Sequence, residues 1–81
     1  MNYVSEVAHS LLENSICTSI VSPEFYTAIA DWEKRGIPLE VVTASVKSYA
    51  REGERRDAVV ELNTLVNGNF RKWLQGRGSA D

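Results

Sequence analysis

Ser22-Pro23-Glu24-Phe25-Tyr26-Thr27-Ala28-Ile29-Ala30-Asp31-Trp32-Glu33-Lys34-Arg35-Gly36-Ile37-Pro38-Leu39-Glu40-Val41-Val42 reads as one complete helix, a glycine corner and the opening of a second helix. Ser22 suits an N-cap, since its hydroxyl can accept from a free backbone N–H of the first turn. Pro23 falls at the first helical position, where no N–H is needed. Glu24 complements the positive end of the helix dipole, and Lys34 and Arg35 the negative end. Phe25, Ala28, Ile29 and Trp32 repeat at helical spacing and predict a buried stripe. Gly36 is placed to adopt the left-handed conformation that closes a helix, with Ile37 folding back toward Trp32. Pro38 is expected at the first position of the next helix. With so short a link, the two helices must turn a sharp corner.

Outward from this stretch the pattern stays helical. Val4, Val7, Leu11 and Leu12 give an apolar face to a first helix over roughly Tyr3 to Asn14, ended by Asn14 and Ser15. Ile16 to Val21 is short and apolar. It has no strand partner, so it reads as a connector whose Ile16, Ile20 and Val21 pack on the core. Leu39, Val42, Val46 and Tyr49 line a third helix, with Ala44 and Ala50 allowing close approach. Gly53 ends it. Residues 54–62 fit either a helix or a loop anchored by Val59, Val60 and Leu62. Asn63 is expected to cap a last helix over Thr64 to Gln75, which carries Leu65, Val66, Phe70 and Trp73. Asn67-Gly68 favours a turn and predicts a bend there. The expected organisation is all-α: a single-domain bundle of about four short helices over 1–75, then a flexible C-terminal tail over 76–81.

Composition narrows the function. A chain of 81 residues holds one domain with a modest core. No apolar run approaches a membrane span, and the first residues lack a signal-peptide pattern. A cytoplasmic location and no membrane partner are expected. Cys17 is the only cysteine and His9 the only histidine, so an intramolecular disulfide is impossible and a Cys/His zinc site would lack ligands. A Cys17–His9 pair is conceivable, but a free cysteine in an apolar segment reads as a buried core residue. The glycines lack phosphate-binding spacing, and the carboxylates read as solvated surface charge. No enzyme and no small-molecule cofactor are expected.

Net charge is −2, unevenly spread. Residues 1–50 carry Lys34, Arg35 and Lys47 against six acidic side chains. From 51 onward, Arg51, Arg55, Arg56, Arg71, Lys72 and Arg77 face five. This basic bias hints at an anionic partner. Trp32 reads as core. Trp73, beside Arg71 and Lys72, is a candidate stacking platform or a hot spot for a protein partner.

The pattern Ile20-Val21-Ser22-Pro23, Ile29-x-Asp31-Trp32-x-x-x-Gly36 and Leu39-Glu40-Val41-Val42 resembles the C-terminal domain of DnaD-type primosomal proteins. Phe70-Arg71-Lys72-Trp73-Leu74-Gln75-Gly76 is similar to that family's last helix and basic end. The likeness covers roughly Ile20 to Arg77. The family's Tyr-x-x-x-Ile-x-x-x-Trp motif, tied to DNA binding, is departed from: Leu65 and Asn69 stand at its first two positions. The same corner also resembles small bacterial helical proteins. The resemblance implies a non-catalytic bacterial domain that binds DNA or a replication protein. The residues expected to carry nucleic-acid binding are Arg51, Arg55, Arg56, Arg71, Lys72 and Trp73. The alternative is a protein–protein adaptor or homo-oligomer that uses exposed apolar surface on the first and last helices.

Overall fold

The computed structural model describes residues Asn2–Ser79, with side chains through Gly76. Four helices follow one another: α1 (Tyr3–Glu13), α2 (Pro23–Lys34), α3 (Leu39–Glu52) and α4 (Ala58–Ser79). The all-α expectation holds, and no strand occurs among the described residues.

Local chemistry sets the helix ends. Asn2 Oδ1 accepts from the Ser5 N–H at 2.8 Å and caps α1. Ser22 Oγ does the same for Phe25 N–H at 3.4 Å at the start of α2. At the corner, Gly36 has φ +77°. The Gly36 N–H donates to Glu33 O and the Ile37 N–H to Trp32 O, each at 3.0 Å. This pair of bonds is a Schellman closure. α1 ends in the same way, but with Ser15 at φ 60° in the left-handed place. There Ser15 N–H bonds Leu12 O and Ile16 N–H bonds Leu11 O.

Several local readings are corrected. Pro38 is not the first helical residue. Its ψ of 143° makes it the extended N-cap, and α3 begins at Leu39. Gly53 ends α3 as expected, with extended geometry at φ −72°. A Cβ there would fall onto the Tyr49 ring, so the position needs a residue without a side chain. Ile20 does not pack on the core: it is 76 % exposed, while Val21 and Cys17 are buried. The last helix begins at Ala58 rather than Thr64, which settles 58–62 as helix. Asp57 caps it: its carbonyl accepts from Glu61 N–H at 2.9 Å and its carboxylate from Val60 N–H at 3.5 Å. α4 runs unbroken through Asn67-Gly68, because Leu62 and Val66 on one continuous face are fully buried. Its backbone remains helical to Ser79, past the expected 75/76 boundary. Ala80 and Asp81 lie outside the described residues.

In cross-section each helix has two neighbours, in the cyclic order α1, α2, α4, α3. α2 and α3 are therefore diagonal despite their short link, which is what a corner rather than a hairpin produces. The core joins Val7 and Leu11 of α1, Ile29 and Trp32 of α2, Val42 and Val46 of α3, and Leu62 and Val66 of α4. Two polar groups inside it are satisfied. Trp32 Nε1 donates to Asn63 Oδ1 at 2.7 Å. Ser45 Oγ donates to Val41 O at 2.7 Å and accepts from Asn69 Nδ2 at 2.8 Å. Asn63, expected as a helix cap, is instead a core partner inside α4.

Candidate interaction surface

The six residues expected to contact nucleic acid are not gathered on one face. Arg51 is exposed in the last turn of α3. Arg55 sits in the α3–α4 link with φ 62°. Its guanidinium donates to Ala50 O at 2.9 Å and to Ser15 O at 3.1 Å, so it ties the ends of α3 and α1 together. Arg56 is exposed and approaches Glu54 at 3.7 Å. Arg71, Lys72 and Trp73 lie on α4 more than three turns beyond its start, about 20 Å along the axis. Even there they diverge. Arg71 lines a groove with Arg35, Phe70 and Leu74, whereas Lys72 and Trp73 line another with Glu40, Val41 and Ala44. The Trp73 ring is half-buried and stacks on Phe70, with centroids 6.0 Å apart at 25°.

The groove at the end of α3 is lined by acidic side chains. Tyr49, Glu52, Gly53, Glu54 and Glu61 line an open groove of about 390 Å³. In it the Tyr49 hydroxyl donates to Glu61 Oε1 at 2.5 Å. Burial of the ring, then the bond to the Glu61 carboxylate, pushes the Tyr49 pKa up to about 12. The hydroxyl therefore stays protonated and acts as a strut between α3 and α4. Burial likewise pushes the Cys17 thiol up, away from the reactive thiolate. His9 is exposed on α1, within 3.4 Å of Glu13. Among the described residues, no group of three or more His, Cys, Asp or Glu side chains is placed to hold a metal ion. No helix among them is long and apolar enough to cross a membrane.

A different surface emerges along the seam between α2 and α4. Two open grooves follow one another there. The first is flanked by Glu24 and Asp31 of α2 and by Val60 and Asn63 of α4. The second is flanked by Arg35 of α2 and by Asn67, Arg71 and Leu74 of α4. Each has a volume of about 400 Å³. Val60 is 59 % exposed and Leu74 49 % exposed. Within the chain, Asp31 and Arg35 approach each other at 3.4 Å across one helical turn. Sequence reasoning named exposed apolar surface on the last helix as an alternative but did not place it at this seam. Its signal is the seven-residue spacing Val60–Asn67–Leu74, which has a register only when α4 is one helix from Ala58 onward.

Comparison with protein families, with curated proteins and with solved structures returned no match.

Proposed function

We propose that this chain is a non-catalytic protein-interaction module whose working surface is the α2–α4 seam. The observation that carries the reading is the pair Val60 and Leu74. Single exposed apolar residues are ordinary on any protein. Two large ones on the same face of one helix, each beside an open groove with charged flanks, are the anatomy of a docking surface. The dispersal of the basic side chains weighs in the same direction, since phosphate binding needs several cations that converge on one backbone. Arg55 is occupied in holding the fold.

A second reading, DnaD-like DNA binding, keeps one specific support. Arg35 and Arg71 flank one groove with Phe70, whose ring stacks on Trp73. A photo-crosslinking side chain introduced at position 60 or 74 in cells tests both readings, with exposed Lys47 on α3 as the control position. Covalent adducts to protein from positions 60 and 74, and not from 47, are the expected result. Adducts to nucleic acid, together with salt-dependent anisotropy changes of labelled oligonucleotides that Arg71→Glu/Lys72→Glu abolishes, would move the assignment to DNA. Labelling no stronger than at position 47 would remove the seam as a working surface.

A further inference from the structure

We infer that the partner of this seam is a second copy of this chain, docked antiparallel about a two-fold axis that passes at Asn67. The inference rests on the protein-interaction reading above and names its partner. Three independent features of the seam agree on it.

The first is spacing. Val60 and Leu74 lie seven residues on either side of Asn67, about 10 Å each way along α4. A seven-residue step returns to the same helix face within about 20°. Rotation by two-fold symmetry about Asn67 therefore sets Val60 of one copy against Leu74 of the other, twice. Both exposed apolar side chains are covered by one operation, as an isologous interface requires.

The second is charge. The groove before Asn67 is flanked by Glu24 and Asp31, and the groove after it by Arg35 and Arg71. The same rotation lays each groove over the other. Acidic flanks then meet basic flanks at both ends, and the pair exchanges Asp31 and Arg35 across the axis. A parallel or displaced arrangement would lose this match, so the charge pattern specifies orientation.

The third is Asn67 itself. Its Oδ1 is the one buried side-chain polar atom among the described residues that has no hydrogen-bond partner. Such orphans are few in folded proteins, and each calls for an explanation. The amide torsion of asparagine is broad, so a modest rotation turns this amide toward the seam. On a two-fold axis it meets its own copy, and two amides can exchange donor and acceptor. A single asparagine in an otherwise apolar helix row is a known device for fixing register and oligomeric state.

Sedimentation equilibrium of the full chain at low salt is the test. The expected result is a monomer–dimer equilibrium whose dissociation constant rises at least about tenfold for Arg35→Glu/Arg71→Glu and likewise for Glu24→Arg/Asp31→Arg. Mixing those two variants should restore a one-to-one dimer, because each then meets its opposite. Circular dichroism shows whether each variant is folded. Leu74→Glu, at an exposed position, provides a second disruption that leaves the core alone. A chain that stays monomeric to about 1 mM, a dimer indifferent to both charge sets, or a mixture that does not pair would overturn the proposal. Protein adducts from positions 60 and 74 to a different protein, with the purified chain monomeric, would leave the interaction reading standing and remove self-pairing alone.

Discussion

At the scale of single residues, Trp32 does two jobs that a composition count cannot separate. Its ring is fully buried, and its indole N–H is held by Asn63 of α4. Trp32→Ala should cost about 3–5 kcal/mol through lost burial and the cavity left behind. Trp32→Phe keeps most of the apolar volume but strands Asn63 Oδ1, and should cost about 1–3 kcal/mol. Urea denaturation of both variants checks the order. If Phe were as costly as Ala, the hydrogen bond rather than the ring would dominate. The burial of Trp32 was legible from the Phe25–Ile29–Trp32 spacing, whereas its partner was not. Asn63 read as a cap because helix-capping chemistry is local, and the indole that holds it inside a helix is 31 residues away. Gly36 was legible for the opposite reason: a left-handed helix end is a local demand, and φ +77° meets it. Ser15 occupies the equivalent place at the end of α1 without being glycine, and its carbonyl is held by Arg55. That long-range bond gives Arg55 a structural role that a count of basic residues reads as nucleic-acid contact.

At the scale of elements, α4 shows where tertiary packing overrides a local signal. Asn67-Gly68 favours a turn, yet the helix passes through it. The gain comes from one unbroken face, with Leu62 and Val66 buried and Phe70 and Trp73 packed against the core. A turn at 67–68 would rotate that face away. Gly68 thus sits in a helix interior without left-handed geometry, and a Cβ built on it meets nothing within 4 Å. Gly68→Ala should stabilise the chain by about 0.5–1 kcal/mol, because alanine loses less backbone freedom on folding. For a domain of this size that corresponds to a melting temperature higher by roughly 2–8 °C. Thermal melting followed at a helical wavelength checks it, and a lower melting temperature would show that the helix is interrupted there. The three other helices were nearly readable from their ends, because capping residues and apolar spacing agreed. α4 was not, since its cap at Asp57 lies in a charged run, Glu54-Arg55-Arg56-Asp57, and Asn63 offers a competing cap residue six positions on. Misplacing that start also hid the Val60–Asn67–Leu74 row, so the apolar surface expected on the last helix could not be placed from the sequence.

At the scale of the whole molecule, two tyrosine hydroxyls join parts that are distant in the chain. Tyr3 Oη donates to Ile37 O at 2.8 Å and pins the start of α1 to the α2–α3 corner. Tyr49 Oη donates to Glu61 and pins α3 to α4. Between them they touch three of the four helices and the corner. Both phenols are pushed up to about 12: Tyr3 by burial and then by the nearby Glu33 carboxylate, Tyr49 by burial and then by its bond to Glu61. In the unfolded chain they return to the ordinary tyrosine value near 10. The folded state therefore binds these two protons more tightly than the unfolded state does. Their contribution to stability is fully present below about pH 10 and is lost as pH rises from there through about 12. Loss of the proton also removes the only hydrogen each hydroxyl can donate, and places an anion beside Glu33 or Glu61. Denaturant midpoints of the native chain should fall steeply between about pH 10 and 12, after a smaller decline that begins at about pH 9, where the Cys17 thiol ionises in the unfolded chain but is held protonated by burial in the folded one. The double variant Tyr3→Phe/Tyr49→Phe should begin at a lower midpoint and show a shallower fall over the same window. Lysine ammonium groups also titrate there, and they do so in both proteins, so the difference between the two curves isolates the phenols. Parallel curves for the native chain and the double variant would mean that neither hydroxyl holds its proton through the fold, and that these two bonds add nothing to the joining of the helices.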